Sequence, residues 1–298
     1  MSSLRPPRSR GRIAAILGAA AAVALLASAC APKSDSSTST ASGSAAASCS
    51  TSSLALYKSG QLTVATDSPA YSPWFDNNNP SDGKGFESAV AYAVAKELGF
   101  SASQVKWVTE SFDNSYAPGS KNFDFDANEI SITPTRAKAV DFSTGYYDVT
   151  QGVLTLSNSK YAGAAALSAL KGAKIGVQVS TTSYQAVINE IKPSGSVSVY
   201  NTTDDEVNAL KNGQVDAIVT DMPTVFYLAS AELTNGKIVG QFSYDGGSPE
   251  QFGLLLQKGS KLTSCVDQAL AKLKSNGELA SITKQWLSDA ADAPELTQ

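Results

Sequence analysis

Two kinds of apolar pattern alternate along this chain. Short continuous apolar runs end at Asp, Gly, Ser or Thr, and between them apolar residues recur every three or four positions. The first kind predicts buried strands, the second amphipathic helices, and their alternation predicts an α/β fold. Strands are expected at 62–66, 105–108, 125–133 (an unusually polar one), 152–156, 174–179, 217–220 and 252–257. A helix over 85–98 places Phe86, Val90, Ala93, Val94 and Leu98 on one face, and another over 182–191 does so with Tyr184, Val187, Ile188 and Ile191. Thr203-Asp204-Asp205-Glu206 reads as a capping box opening a helix that stops before Gly213. Two helices close the pattern, 264–274 with Val266, Ala269, Leu270 and Leu273 inward, and 278–287.

The first thirty residues break this rhythm. Arg5, Arg8, Arg10 and Arg12 precede an apolar run from Ile13 to Ala29 that ends in small residues. The run is short for a membrane span, which needs roughly 20 residues, and the order of charge, apolar core and small residues predicts a secretory signal over 1–29. Leu26-Ala27-Ser28-Ala29-Cys30 resembles the lipobox of bacterial lipoproteins, with Ala27 where Leu is preferred. That resemblance implies lipidation of Cys30, and the several acyl chains so attached suffice for stable anchoring. Residues 30–54 are mostly Ser, Thr, Ala and Gly, a flexible tether. With Cys30 lipidated, Cys49 and Cys265 remain. In an oxidising compartment such a distant pair favours a disulfide over metal or redox chemistry. The last residues, 289–298, read as a short polar tail.

Charge and composition narrow the function. The chain has 23 basic and 27 acidic residues. Without the four arginines of the signal the balance is 19 against 27, an acidic surface that argues against nucleic acid as partner. No histidine is present, which removes the commonest general base and the commonest zinc ligand. No catalytic residue, metal or cofactor is therefore assigned.

The informative residues stand at the carboxyl ends of the expected strands, where open α/β sheets place their ligands. Strand 62–66 ends in Asp67; the polar strand runs into Ser131-Ile132-Thr133-Pro134-Thr135-Arg136; strand 174–179 ends in Ser180-Thr181-Thr182; strand 217–220 ends in Asp221. This set complements an amino-acid zwitterion. Arg136 offers a planar fork for a carboxylate, the hydroxyls and N–H groups at Thr181 and Thr182 face the same group, and Asp221 accepts from the α-ammonium. Glu129 alternates with Ser131, so the two are expected on one side of the strand, in the cleft. With Asp67, Glu129 would form an acidic pocket for a basic or amide side chain; pairing of Glu129 with a Lys or Arg of the protein is the other reading.

The phrases LTVATD (62–67), YSPWF (71–75), GFE (85–87), SITPTR (131–136), VDFS (140–143), KGAKIGVQV (171–179) and GQVDAIVTD (213–221) occur in this order. In order and spacing the chain resembles the polar amino-acid substrate-binding proteins of ABC importers, solute-binding protein family 3, over about 60–288. The resemblance implies a two-lobed periplasmic-binding-protein-like (type II) α/β fold with two crossover segments and a central cleft. It places lobe 1 at 55–149 plus 250–288 and lobe 2 at 152–243, with crossings near 149–154 and 244–251. It implies that Arg136, Thr182 and Asp221 hold the α-carboxylate and α-ammonium, that Tyr71 and Phe112 flank the ligand side chain, and that Asp67 helps select it. Trp74 and Phe75 are expected in the lobe core. The implied protein is a monomeric, lipid-anchored receptor outside the cell membrane that closes by a hinge on a free amino acid and delivers it to an ABC permease. A secreted dehydratase of the same fold acting on arogenate or prephenate is the alternative; a sensory domain is disfavoured by the short tail after 288.

Overall fold

A computed structural model describes residues 49–244, 250–287 and 293–298; the expected secretory signal, Cys30 and most of the expected tether lie outside the described residues. In chain order the strands are β1 Leu62–Thr66, β2 Val105–Thr109, β3 Phe125–Asp126, β4 Val140–Phe142, β5 Tyr147–Asp148, β6 Gln151–Leu156, β7 Ile175–Gln178, β8 Ser198–Tyr200, β9 Ala217–Asp221, β10 Gly236–Phe242, β11 Gln251–Phe252 and β12 Leu255–Gln257. The α-helices are α1 Phe86–Glu97, α2 Phe112–Ser115, α3 Thr182–Ala186, α4 Thr203–Lys211, α5 Met222–Tyr227, α6 Thr263–Ser275 and α7 Glu278–Leu287.

These strands form two five-stranded sheets. The first has the order β2-β1-β3-β12-β4, the second β10-β6-β9-β7-β8. In each, a parallel core (β2-β1-β3 and β8-β7-β9) is extended by antiparallel neighbours. All five residues of β1 are buried, as a strand covered on both faces requires. The chain leaves the first sheet after β4 and returns after β10, and the passages meet as the ribbon β5–β11, Phe252 opposite Tyr147. The ribbon rests on the first lobe's aromatic core, where Trp74 packs edge-on against Phe86, Tyr147 and Phe252 at 5.4–5.9 Å. Trp74 also reaches the second lobe: its Nε1–H donates to Thr224 Oγ1 at 2.8 Å. The close seating of α1 depends on Gly85, at φ +91, because a Cβ there would collide with the Trp74 carbonyl and Phe75 backbone.

The helix cores follow the expected periodicity in α1 and α6, whose Phe86, Val90, Val94, Val266, Leu270 and Leu273 are fully buried. Several expectations are corrected. The polar segment 125–133 forms a strand only at Phe125–Asp126, with a separate bridge from Ser131 to Phe252, since Glu129 at φ +53 turns the chain out of the extended region between them. The strand 252–257 is split at Gly253 into β11, which joins the crossing ribbon, and β12, which joins the sheet. The helix 182–191 changes after Ala186 into a π turn, Val187–Ile191. Val187 and Ile191 stay buried, but the wider winding carries Ile188 to 40% exposure and leaves Tyr184 half-buried. The cap of α4 is one residue early: Thr202 Oγ1 accepts from the Asp205 N–H at 3.1 Å.

Residues 49–54 and 293–298 are more tightly held than a flexible tether to 54 and a short polar tail imply. Cys49 and Cys265 form a disulfide, and Thr51 Oγ1 donates to the Leu98 carbonyl at 3.0 Å, so residues 49–51 are already part of the fold. At the other end α7 buries Leu279 and Leu287 in the first lobe, whereas residues 293–298 lie along β10 of the second. Gln241 N donates to Pro294 O and Leu296 N to Gln241 O, both at 2.8 Å. Leu296 is 7% exposed in that lobe's core. The disulfide joins residues 216 apart, and closing so long a loop removes much unfolded-state entropy. Reduction, or Cys49→Ser, is expected to destabilise the protein by about 2–5 kcal/mol, seen as a lower Tm in calorimetry; an unchanged Tm contradicts this.

Candidate functional site

The carboxyl ends of β1, β3, β7 and β9 face one another between the two sheets. Asp67 follows β1, the turn 128–131 follows β3, Thr181 and Thr182 open α3 after β7, and Asp221 ends β9 while serving as N-cap of α5. A cavity of about 40 Å³ lies among them, lined by Asp67, Tyr71, Phe112, Glu129, Ser131, Thr181, Thr182 and Asp221, together with Asn128, Gln178, Thr203 and Thr220. One water needs roughly 10–15 Å³ on this measure, so an amino acid enters only if the lobes part. Trp74 and Phe75 are fully buried in the first lobe, whereas Tyr71 and Phe112 line the cavity.

Arg136 departs from expectation. It does not line the cavity with Asp221 but an adjoining space of about 790 Å³, and only Thr181 and Thr182 line both. Its guanidinium donates from Nη1 to the Ser131 carbonyl at 2.8 Å and from Nη2 to the Ser180 carbonyl at 2.9 Å. It also stacks 4.8 Å from the Tyr116 ring centre and 5.2 Å from that of Phe112. Ser131 follows the first sheet and Ser180 the second, so this buried cation ties the lobes together through two carbonyls. Burial lowers its pKa, while Tyr116, Glu250 and Asp221 pull it back up.

A polar chain on the other side links the same halves. Gln151 Nε2 donates to Asp221 Oδ1 at 2.8 Å and to Glu250 Oε2 at 3.1 Å. Ser131 Oγ donates to Glu250 Oε1 at 2.8 Å and lies 3.4 Å from Thr182 Oγ1. Gln151, Glu250 and Asn128 escaped the sequence reading; the one signal for Gln151 is a polar residue heading an apolar strand. Glu129 does reach the cavity beside Ser131, though through its left-handed backbone and not through strand alternation. Among the described residues it makes no ion pair with Lys or Arg.

Acid therefore crowds the site. No Lys or Arg lines the cavity. Burial raises the carboxyl of Glu129 well above the usual range, with Glu87, Asp221 and Asp67 adding to it. Asp221 is raised well above that range by burial and by Glu250, against the pull of Gln151 and Arg136. Asp67 is raised by burial, against the N–H groups of Ser68 and Phe112. Beneath the cavity Glu87, fully buried, accepts from the Glu129 N–H at 2.8 Å and from the Tyr146 hydroxyl. Burial pushes Glu87 up to about 7. Among the described residues no cluster of acids and cysteines is arranged to hold a metal.

Residues 62–289 match the bacterial extracellular solute-binding proteins, family 3. The chain belongs to that family. The ABC transporter glutamine-binding protein GlnH of Bacillus subtilis (strain 168) is 32% identical over 222 residues, covering 72% of this chain and 77% of the relative. An ancestral arginine-binding protein bound to glutamine superposes with a TM-score of 0.65 at 30% identity, over 77% of this chain and 99% of its own. The ancestral amino acid-binding protein AncCDT-1, a precursor of cyclohexadienyl dehydratase, does so at 0.61 and 27%, over 76% and 95%. In this solute-binding protein the two sheets are the lobes of the expected fold, and the cavity lies in the cleft between them.

The raised carboxyls set a pH dependence. An acid whose pKa is higher folded than unfolded holds more protons in the folded state, so stability falls as pH rises between the two values. For Glu87 that window runs from the ordinary glutamate value of 4.5 to about 7; Glu129 and Asp221 act in the same direction. Each group adds to the fall in stability as pH rises through its own window. The ligand-free protein is therefore expected to melt higher at pH 5 than at pH 8 in calorimetry; a Tm rising with pH over this interval contradicts the assignment.

Proposed function

We propose that this chain is the extracytoplasmic receptor of an ABC importer, anchored through a lipidated Cys30, that captures a free polar amino acid in its cleft and hands it to a permease. The observation that carries the reading is the charge layout. Three carboxyls, those of Asp67, Glu129 and Asp221, face a cavity that no basic residue lines, and one guanidinium spans the lobes beside it. That layout complements a small ion with an ammonium at one pole and a carboxylate at the other.

In the proposed complex the α-ammonium lies on Asp221. The α-carboxylate takes the place of the Ser180 carbonyl on Arg136, at the edge shared with Thr181 and Thr182. Ligand charge then replaces a contact that the ligand-free protein makes between the lobes. Micromolar affinity needs only about −8 kcal/mol, and removing one member of a buried charge pair costs about 2–5 kcal/mol, so the Asp221 and Arg136 contacts suffice for most of it. The family membership and the glutamine and arginine named for its relatives support a polar ligand with a basic or amide side chain. The protein acts by binding, without catalysis.

A thermal-shift panel of the common amino acids is the test. A ligand at 100-fold excess over its Kd is expected to stabilise the protein by about 2.7 kcal/mol, and Arg136→Ala is expected to abolish the shift. Survival of the shift in that variant removes Arg136 from the site. Turnover of arogenate or prephenate by the pure protein, with no amino acid bound, overturns the receptor reading in favour of an enzyme.

A further inference from the structure

Glu129 sits in a backbone conformation that its side chain disfavours. Its φ of +53° lies in the left-handed region, where glycine is accommodated without strain and a long side chain is not. Such outliers persist where the surroundings impose them and are retained where the side chain has a use. The imposing group is Glu87, on the first turn of α1, whose Oε1 accepts the Glu129 N–H at 2.8 Å while also accepting from the Tyr146 hydroxyl. The second oxygen of Glu87 is buried without a partner. Around Glu129 the cavity wall carries two more polar groups in the same state, the hydroxyl of Tyr71 and the amide nitrogen of Asn128, a residue only 7% exposed. Asp67 and Glu129 thus offer acceptors at the end of the cavity, and Asp221 remains for the α-ammonium.

We propose that Glu129 is the residue that selects a cationic side chain, a guanidinium or ammonium, in the ligand, and that Glu87 is a positioning residue that holds Glu129 in its left-handed turn toward the cavity. This deepens the amino-acid receptor reading and rests on it. A cation between Asp67 and Glu129 satisfies both acids and relieves their mutual repulsion, whereas an amide offers two N–H donors without charge. A glycine at 129 would relax the backbone and remove the acid together, so stability and selectivity move in opposite directions. A merely structural role cannot produce that pairing.

The experiment is isothermal titration of L-arginine and L-glutamine into the wild type, E129G, E87A and E87Q, with ligand-free Tm values alongside. The wild type is expected to prefer arginine by at least about tenfold. In E129G the arginine-to-glutamine affinity ratio falls by about 30-fold or more, while the ligand-free Tm rises. E87A lowers the same ratio, and E87Q, which keeps an oxygen acceptor for the Glu129 N–H, holds it within about threefold of wild type. Where E87A does not fold, E129G and E87Q decide. A wild type that prefers glutamine, or an E129G ratio equal to wild type, overturns the role of Glu129; an E87Q ratio as low as that of E129G overturns the role of Glu87. A wild type that binds no amino acid of the panel fails earlier, at the receptor reading itself, and is recognised as that.

Discussion

Crowded negative charge between two lobes is the constraint around which this molecule is organised. Two unit charges 4 Å apart interact with about 4 kcal/mol at the effective dielectric of a protein surface, and here Asp67, Glu129 and Asp221 line one small cavity with Glu87 behind them. One guanidinium, that of Arg136, stands close by, and its hydrogen bonds go to backbone carbonyls of both halves. Without a ligand, burial and mutual repulsion raise the pKa of these carboxyls. A bound cation offsets that repulsion, so ligand and proton compete for one set of carboxylates.

The scaffold serves that arrangement. Asp67 and Asp221 stand at the ends of strands whose interiors are buried, so sheet register fixes their backbone, whereas Glu129 stands in the turn after β3 with its N–H held by Glu87. The crossing ribbon β5–β11 is seated on the Trp74 cluster of the first lobe, while Trp74 Nε1 and Gln151 carry hydrogen bonds across to the second. The last residues, 293–298, belong to the second lobe although α7 belongs to the first.

Much of this was legible in the amino-acid order, for identifiable reasons. Strand interiors such as 62–66 are apolar throughout, and Asp67 and Asp221 end such strands, so their place at the cleft follows from how open sheets bind ligands. The inward faces of α1 and α6 follow from a period of 3.6. Other parts depend on contacts distant in sequence. The expected strand through Glu129 fails because Glu87, 42 residues earlier, captures its N–H; the residue reached the cleft for a reason alternation does not contain. Gln151 and Glu250, 99 residues apart, become neighbours only when the crossing segments meet. Arg136 was expected to present its fork to a ligand carboxylate in the cleft; here its partners are the carbonyls of Ser131 and Ser180, and no sequence pattern marks a backbone oxygen as a partner. Ile188 fell to a π turn, which local periodicity does not foresee.

The central claim is that opposite poles of one amino acid are held by residues of opposite lobes. A crystal structure of the protein grown with its tightest amino-acid ligand tests it most directly. The account predicts the ligand's ammonium within hydrogen-bonding distance of Asp221 and its α-carboxylate on Arg136, with the Arg136–Ser180 contact broken. A ligand bound with its carboxylate away from Arg136, or within one lobe only, contradicts it.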